Sequence, residues 1–263
     1  MARVWLITGS SRGVGRALVE KILESGDVVV ATARNPSQLD DIVAKYGSDK
    51  ILATALDVTD FEQANKAAKE AVDKFGRIDV VVNNAGYADM ASIEDADIKG
   101  FREQVDVNLF GVVNVTKAIV PIMRKQKSGH VIQVSSVGGR VECQMGRWGF
   151  STVLSQEVAP FGIKVTVAEP GGIKTDWATT ATETAKVSEP YEQTVGQMIQ
   201  LVKGHSTWTE ASEIARAIIH LSNVEDPPLR IILGKDALQY AHMAAKALAE
   251  SDEKWDSVSK LEF

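Results

Sequence analysis

Short runs of β-branched and aliphatic residues recur along the chain, at Val4–Ile7, Val28–Ala31, Ile51–Leu56, Ile78–Val82, His130–Val134, Ile163–Ala168 and Leu229–Leu233. Between most of them lie longer stretches with apolar positions at helical spacing: Ala17–Glu24, Phe61–Phe75, Gly111–Arg124 and Ser151–Val158. Strands buried on both faces read as continuous apolar runs, and their alternation with helices implies βαβ units. The pattern predicts an α/β fold, a doubly wound sheet of about seven mainly parallel strands with helices on both faces. The rhythm breaks once. Residues 178–206, rich in Thr, Ala, Glu and Gln, intervene between the sixth strand and a helix around Ala211–Leu221. They read as a helical lid or an excursion over the strand ends. After Lys235 the residues favour helix, until Ser257–Phe263, where fraying is expected.

Composition narrows the partners. With 263 residues, 44% of them hydrophobic, the chain can bury a sizeable core. The formal net charge is -6 with both signs scattered, so no basic stripe suggests nucleic acid or an anionic membrane. No apolar run reaches the length of a bilayer span, and no membrane partner is expected. Cys143 is the only Cys, which rules out an intrachain disulfide and fits a reducing compartment, so a cytoplasmic location is expected. The first strand signal begins at Val4, and no cleavable leader is expected ahead of it. The four His residues lie far apart without ligand spacing, so no metal is expected.

Chemistry enters at the end of the first strand. Thr8-Gly9-Ser10-Ser11-Arg12-Gly13-Val14-Gly15 follows that strand and leads into a helix. In such a turn Gly9 permits the tight bend and Gly13 lets backbone approach a pyrophosphate. Gly15 lets the helix pack close to the sheet, and the helix's first N–H groups point at the phosphates. Glycines alone would also serve a structural turn, but strand, turn and helix in this order favour a Rossmann-like dinucleotide site. The second strand ends Ala31-Thr32-Ala33-Arg34. An acidic residue there would accept hydrogen bonds from the ribose hydroxyls and repel a 2′-phosphate. None is present, and Arg34 and Arg12 can both face the ribose. Guanidinium groups match phosphate bidentately, so NADP(H) is favoured. The alternative is that either Arg is a solvated surface residue.

Further on stand Asn83-Asn84-Ala85-Gly86, Ser135-Ser136 and Pro170-Gly171-Gly172-Ile173-Lys174-Thr175. With the glycine turn, and in this order over nearly the whole chain, they resemble the short-chain dehydrogenase/reductase family. The resemblance implies one dinucleotide-binding domain over 1–263, with 178–206 as a substrate lid. It implies an NADP(H)-dependent oxidoreductase acting on a small-molecule carbonyl or secondary alcohol. Ser11, Arg12 and Val14 would join Gly9, Gly13 and Gly15 at the cofactor. Asp57 and Val58 would flank the adenine, and Asn84, Ala85 and Gly86 the adenosine ribose. Pro170, Gly171, Ile173 and Thr175 would touch the nicotinamide. Of the catalytic parts, Ser136 would orient the carbonyl. Asn108 would kink a helix and hold a water in the proton path.

Two parts of the family's machinery are absent. A Tyr donates the proton, and a Lys one helical turn on lowers its pKa and holds the ribose. Between Ser136 and Ser151 this chain has neither. Anchored on Gly149–Gly162, the Tyr slot falls on Arg140 and the Lys slot on Gln144. Anchored on Ser136, the Tyr slot falls on Gly149, so about nine residues are missing. The codons allowed for Glu142–Trp148, read one base later, can spell Ser-Ala-Lys-Trp-Ala-Val-Gly, with a Lys where Gln144 stands. A frame error beside a lost coding stretch and a true deletion both remain open. The loss would also remove the first turns of the helix through which related enzymes pair. A homo-oligomer weaker than the family norm is therefore expected, with Val153, Leu154 and Val158 as its surviving apolar strip. Tyr87, beside Gly86, is the one remaining Tyr expected near the cleft, and with Trp177 it suggests a partly apolar pocket. Three functions compete: a crippled NADP(H)-dependent reductase, a cofactor-binding pseudoenzyme or regulator, and a non-redox catalyst on the same scaffold.

Overall fold

The computed structural model describes residues 2–141, 147–175, 181–182, 185, 187–204 and 208–262; the side chains of 140, 141, 147 and 148 are not part of that description. In chain order the elements are β1 (Val4–Ile7), α1 (Gly13–Glu24), β2 (Val28–Ala33), α2 (Asp40–Tyr46), β3 (Ile51–Ala55), α3 (Phe61–Phe75), β4 (Val80–Asn83) and α4 (Ile98–Val105). Then come α5 (Gly111–Gln126), β5 (Gly129–Val134), α6 (Gly138–Val141), α7 (Arg147–Val158), β6 (Ile163–Pro170), β7 (Ile173–Lys174) and α8 (Gln197–Gly204). The chain closes with β8 (Thr209–Glu210), α9 (Ala211–Ser222), β9 (Arg230–Leu233), α10 (Lys235–Lys254) and α11 (Asp256–Ser259). Seven strands form one sheet in the order β3-β2-β1-β4-β5-β6-β9, and every neighbouring pair is parallel. The seven apolar runs are these seven strands.

Alternation within each strand explains the two helical layers. Trp5, Ile7, Val29, Ala31, Val80, Val82 and Ile132 face one side, against Leu18 and Ile22 of α1 and Ile214 and Ile218 of α9. Leu6, Val30, Val81, Val131 and Val165 face the other, against α3, α5 and α7. Each such side chain taken fully from water contributes about 1.5–3 kcal/mol. Helix α3 presents four buried alanines to this layer, Ala64, Ala67, Ala68 and Ala71, at helical spacing, with half-buried Phe75 packed against it at the helix end. Asp60 caps its start by accepting from the backbone N–H groups of Glu62 and Gln63, and left-handed Gly76 ends it.

The structure corrects several expectations. Leu154 and Val158 do not form an outward strip: spaced four apart, they share the core-facing side of α7 and are buried, while Val153 is 55% exposed. Residues Ile98–Gln126 run on as one helical segment through α4, a π turn at Asp106–Phe110 and α5. That segment is long and apolar enough, by length and composition, to cross a membrane, contrary to the sequence expectation. Its buried positions, among them Val115, Ile119 and Met123, pack against the sheet. Helices α2 and α4 and the two-stranded parallel pair β7–β8 carried no clear sequence signal. The tail keeps a helical turn at Asp256–Ser259 where fraying was expected. Within 178–206, the described part from Glu189 to Gly204 is helical.

Candidate functional site at the carboxyl edge of the sheet

Because the strands are parallel, their carboxyl ends share one edge, and most of the sequence-selected residues lie there. The topological switch falls between β1 and β4, the strands that precede the glycine turn and Asn84. Gly9 and Gly13 have φ of +68° and +56°, a region that favours glycine. A Cβ on Gly15 would sit 2.2 Å from the Gly9 carbonyl oxygen and 2.7 Å from Asn84 Nδ2. Glycine is therefore what lets α1 start against the turn. Arg12 precedes α1 with no side-chain cap, and the first turn holds no acid. The leading N–H groups of α1 thus present an uncompensated positive end, suited to an anion. Val14 turns its side chain into the core, so only its backbone is available to a ligand.

Thr8, which the sequence reading passed over, knits the turn to β4. Its buried hydroxyl oxygen accepts from the backbone N–H groups of Asn84 and Ala85, both at 3.0 Å. Asn84 Nδ2 in return donates to the carbonyls of Thr8 and Gly9 at 2.9 and 3.2 Å. A Cβ on Gly9 would touch Ala85 Cα at 3.0 Å, and Gly86 is exposed beyond it. At the end of β3, one oxygen of Asp57 accepts from the Thr59 amide and hydroxyl. Val58 is buried against Gly111, and its carbonyl accepts from Asn114 Nδ2 at 3.0 Å. Ser11 is half-buried, and Arg12 and Arg34 are exposed.

At the other end of the cleft, Ser136 Oγ accepts from Gly138 N at 3.1 Å, which leaves its own proton free to be donated. The Val137 amide donates to the Pro170 carbonyl at 2.9 Å and ties the Ser136 segment to the loop after β6. That loop reaches back to the glycine turn, for a Cβ on Gly13 would meet Thr175 Cγ2 at 3.4 Å. Ile173 pairs with Thr209 in β7–β8 and packs on the core. Asn108 lies in the π turn, and its side-chain amide pairs with both backbone groups of Tyr87: Oδ1 accepts at 3.1 Å and Nδ2 donates at 2.7 Å. Burial pushes the Tyr87 phenol above its ordinary pKa of 10, Asp89 and Glu103 push it further, and Arg34 opposes them. Tyr87 therefore stands among the charges of the Arg34 side and is a poor acid near neutral pH. The segment after residue 187 is clasped to the loop before α4: Ser188 N and Oγ donate to Asp95 Oδ2 at 3.0 and 3.1 Å, and Tyr191 Oη donates to Glu94 at 2.7 Å. Cys143, Gln144 and Trp177, and the Arg140 side chain, lie outside the described residues.

The family model for short chain dehydrogenases matches residues 3–186, which takes in the glycine turn, Asn108, Ser136 and the loop after β6. The chain belongs to this family. An oxidoreductase of Botryotinia fuckeliana, BOA17, is 51% identical over 271 aligned positions, covering 98% of both chains. The crystal structure of a short-chain dehydrogenase from Streptomyces avermitilis is 34% identical, with a TM-score of 0.90 over 100% of each chain. A short chain dehydrogenase/reductase from Burkholderia phymatum, solved in complex with NAD, shares the fold at 19% identity, a TM-score of 0.81 and 95% coverage of each chain. Membership of this oxidoreductase family fits the chain to a small-molecule substrate and a nicotinamide cofactor.

Proposed function

We propose that this family member binds NADP(H) across the carboxyl edge, takes a carbonyl or secondary alcohol as substrate, and turns it over poorly. The observation that carries the cofactor choice is the pair Arg12 and Arg34. Both are exposed, Arg12 in the glycine turn at the start of α1 and Arg34 directly after β2, and among the described residues neither makes an ion pair. Arg16, one turn into α1, is by contrast tied to Glu20 and Asp41. No acid ends β2, so a 2′-phosphate would meet two open guanidinium groups and no carboxylate from that strand end. The uncapped start of α1 would hold the pyrophosphate, and the loop from Pro170 to Thr175 the nicotinamide end.

When bound, the reduced nicotinamide supplies the hydride. Ser136 would donate its hydroxyl proton as a hydrogen bond to the carbonyl oxygen. Asn108 is engaged in holding Tyr87, and the raised Tyr87 phenol does not release a proton near neutral pH. No Tyr or Lys lies between Ser136 and Ser151 to complete the proton path. The match to the B. fuckeliana relative spans 271 positions against 263 residues here, so at least eight positions of that relative have no counterpart in this chain. This supports a shortened segment. A positioned general acid contributes about 10²–10⁴-fold, which is the deficit expected.

Calorimetric titration with NADPH and NADH tests the cofactor reading. NADPH should bind more tightly, and Arg34→Ala should weaken NADPH by about tenfold while moving NADH little. Equal affinities would refute it. NADPH oxidation with a panel of carbonyls tests the deficit, and ordinary enzymatic rates from the unmodified chain would refute that part. Tight NADPH binding without oxidation by any carbonyl selects the second reading, a cofactor-binding pseudoenzyme, which the missing Tyr and Lys favour.

A further inference from the structure

Four hydrogen bonds hold the Pro170–Gly172 start of the loop after β6. Three of them come from backbone. The Pro170 carbonyl accepts from Val137 N, Gly171 N donates to the Leu233 carbonyl, and the Gly172 carbonyl accepts from Thr209 N, each at 2.9 Å. The fourth comes from a single side chain: Gly172 N donates to Asp236 Oδ2 at 2.7 Å. Asp236 lies in the first turn of α10, half-buried, 64 residues further along the chain.

Sterics make the same point independently. A Cβ on Gly171 would lie 2.3 Å from Asp236 Oδ2 and 2.5 Å from Oδ1, and one on Gly234 would lie 2.7 Å from Oδ1. A Cβ on Gly172 would come to 3.5 Å of Oδ2. Three glycines thus wall a niche that one carboxylate fills. A first-turn acid placed only to complement a helix dipole needs no such niche. The niche belongs to the loop, and the same loop brings Thr175 to Gly13 of the glycine turn, where a built Cβ would lie 3.4 Å from Thr175 Cγ2.

We propose that Asp236 is a positioning residue that sets the Gly171–Gly172 backbone for the nicotinamide end of the cofactor, coupling α10 to the site. This rests on the NADP(H) reading above. Removing the carboxylate frees Gly172 N and lets the loop relax toward the vacated niche. The adenosine end, held by the glycine turn and the two arginines, is untouched.

The test compares two probes on the full chain: NADPH, and adenosine 2′,5′-bisphosphate, which carries the 2′-phosphate end and no nicotinamide. Asp236→Ala should weaken NADPH by about tenfold or more, the scale of one lost charge-assisted hydrogen bond, and leave the bisphosphate within about twofold. Asp236→Asn, which keeps a neutral acceptor of the same shape, should fall between Asp236→Ala and wild type for NADPH. If Asp236→Ala fails to fold, Asp236→Asn decides: several-fold weaker NADPH with unchanged bisphosphate binding supports the assignment. Equal losses for both probes, in whichever variant folds, overturn it in favour of a general structural role. Unchanged NADPH affinity overturns it also. A wild-type chain that binds neither probe overturns the cofactor reading and this proposal together, whereas normal wild-type binding with unaltered variants overturns this proposal alone.

Discussion

Replacing Thr8 by Val removes one oxygen at nearly constant volume, at the point where the glycine turn is fastened to β4. Thr8 is 1% exposed, and its hydroxyl accepts from Asn84 N and Ala85 N, each at 3.0 Å. Asn84 N has a second acceptor in the Val82 carbonyl at 3.0 Å, so only the Ala85 amide loses the acceptor it has here. An unpaired buried amide costs about 1–3 kcal/mol and a weakened shared bond about 1 kcal/mol. Ala85 is half-buried, so water reaches part of the vacancy and the sum falls near the low end, about 2 kcal/mol. Thr8→Ser keeps the oxygen and loses one methyl, about 1 kcal/mol. Urea unfolding should therefore rank wild type above Thr8→Ser and Thr8→Ser above Thr8→Val, with unchanged slopes. NADPH titration should show Thr8→Val alone losing affinity, because Asn84 Nδ2 holds the Gly9 carbonyl across that fastening. If Thr8→Val unfolds no more readily than Thr8→Ser, the hydroxyl does not hold the turn.

His130 offers a pH test. Burial, with Lys164 and Arg3 adding to it, pushes its pKa from the ordinary 6.5 to about 4. The unfolded chain then binds the proton first, so this contribution is intact above about pH 6.5 and is lost as pH falls toward 4; the gap corresponds to about 3 kcal/mol. Between pH 7 and 4, urea unfolding of His130→Gln should lose less stability than wild type by that margin, and parallel losses would refute it. Gly15→Ala drives a Cβ into the Gly9 carbonyl and should cost about 1–3 kcal/mol, with NADPH binding lost in calorimetry; retained affinity would show that α1 can retreat without harm. Light scattering should find association weaker than a tight low-concentration tetramer, since of Val153, Leu154 and Val158 only Val153 is exposed. Inserting a family-length segment with Tyr and Lys after Ser136 should raise carbonyl reduction by about 10²–10⁴-fold, whereas Arg140→Tyr with Gln144→Lys at the present length should not.

Strand positions, the two-sided burial of the sheet and the glycine turn were legible in the sequence because each depends on neighbours within a few residues. A run such as Val80-Val81-Val82 has to be buried on both faces wherever it lies. A strand that runs into Gly9 and then a helix needs the left-handed turn that the structure shows. The absence of Tyr and Lys after Ser136 was likewise a fact of composition and spacing. Packing decided the rest. Leu154 and Val158 looked free to pair with another copy, yet the register of α7 against β6 and α5 consumed them. Helices α4 and α5 became one long helix because the π turn at Asn108 continues rather than breaks it. Thr8 stood in the glycine motif with no role of its own, and Asp236 carried no local signal. A hydroxyl or a carboxylate becomes an anchor only when folding sets it within hydrogen-bond reach of an amide from a distant strand end, 77 residues away for Thr8 and Ala85 and 64 for Asp236 and Gly172. A hydrogen bond acts over about 3 Å whatever the separation along the chain, so which donor meets which acceptor was set by the tertiary structure alone.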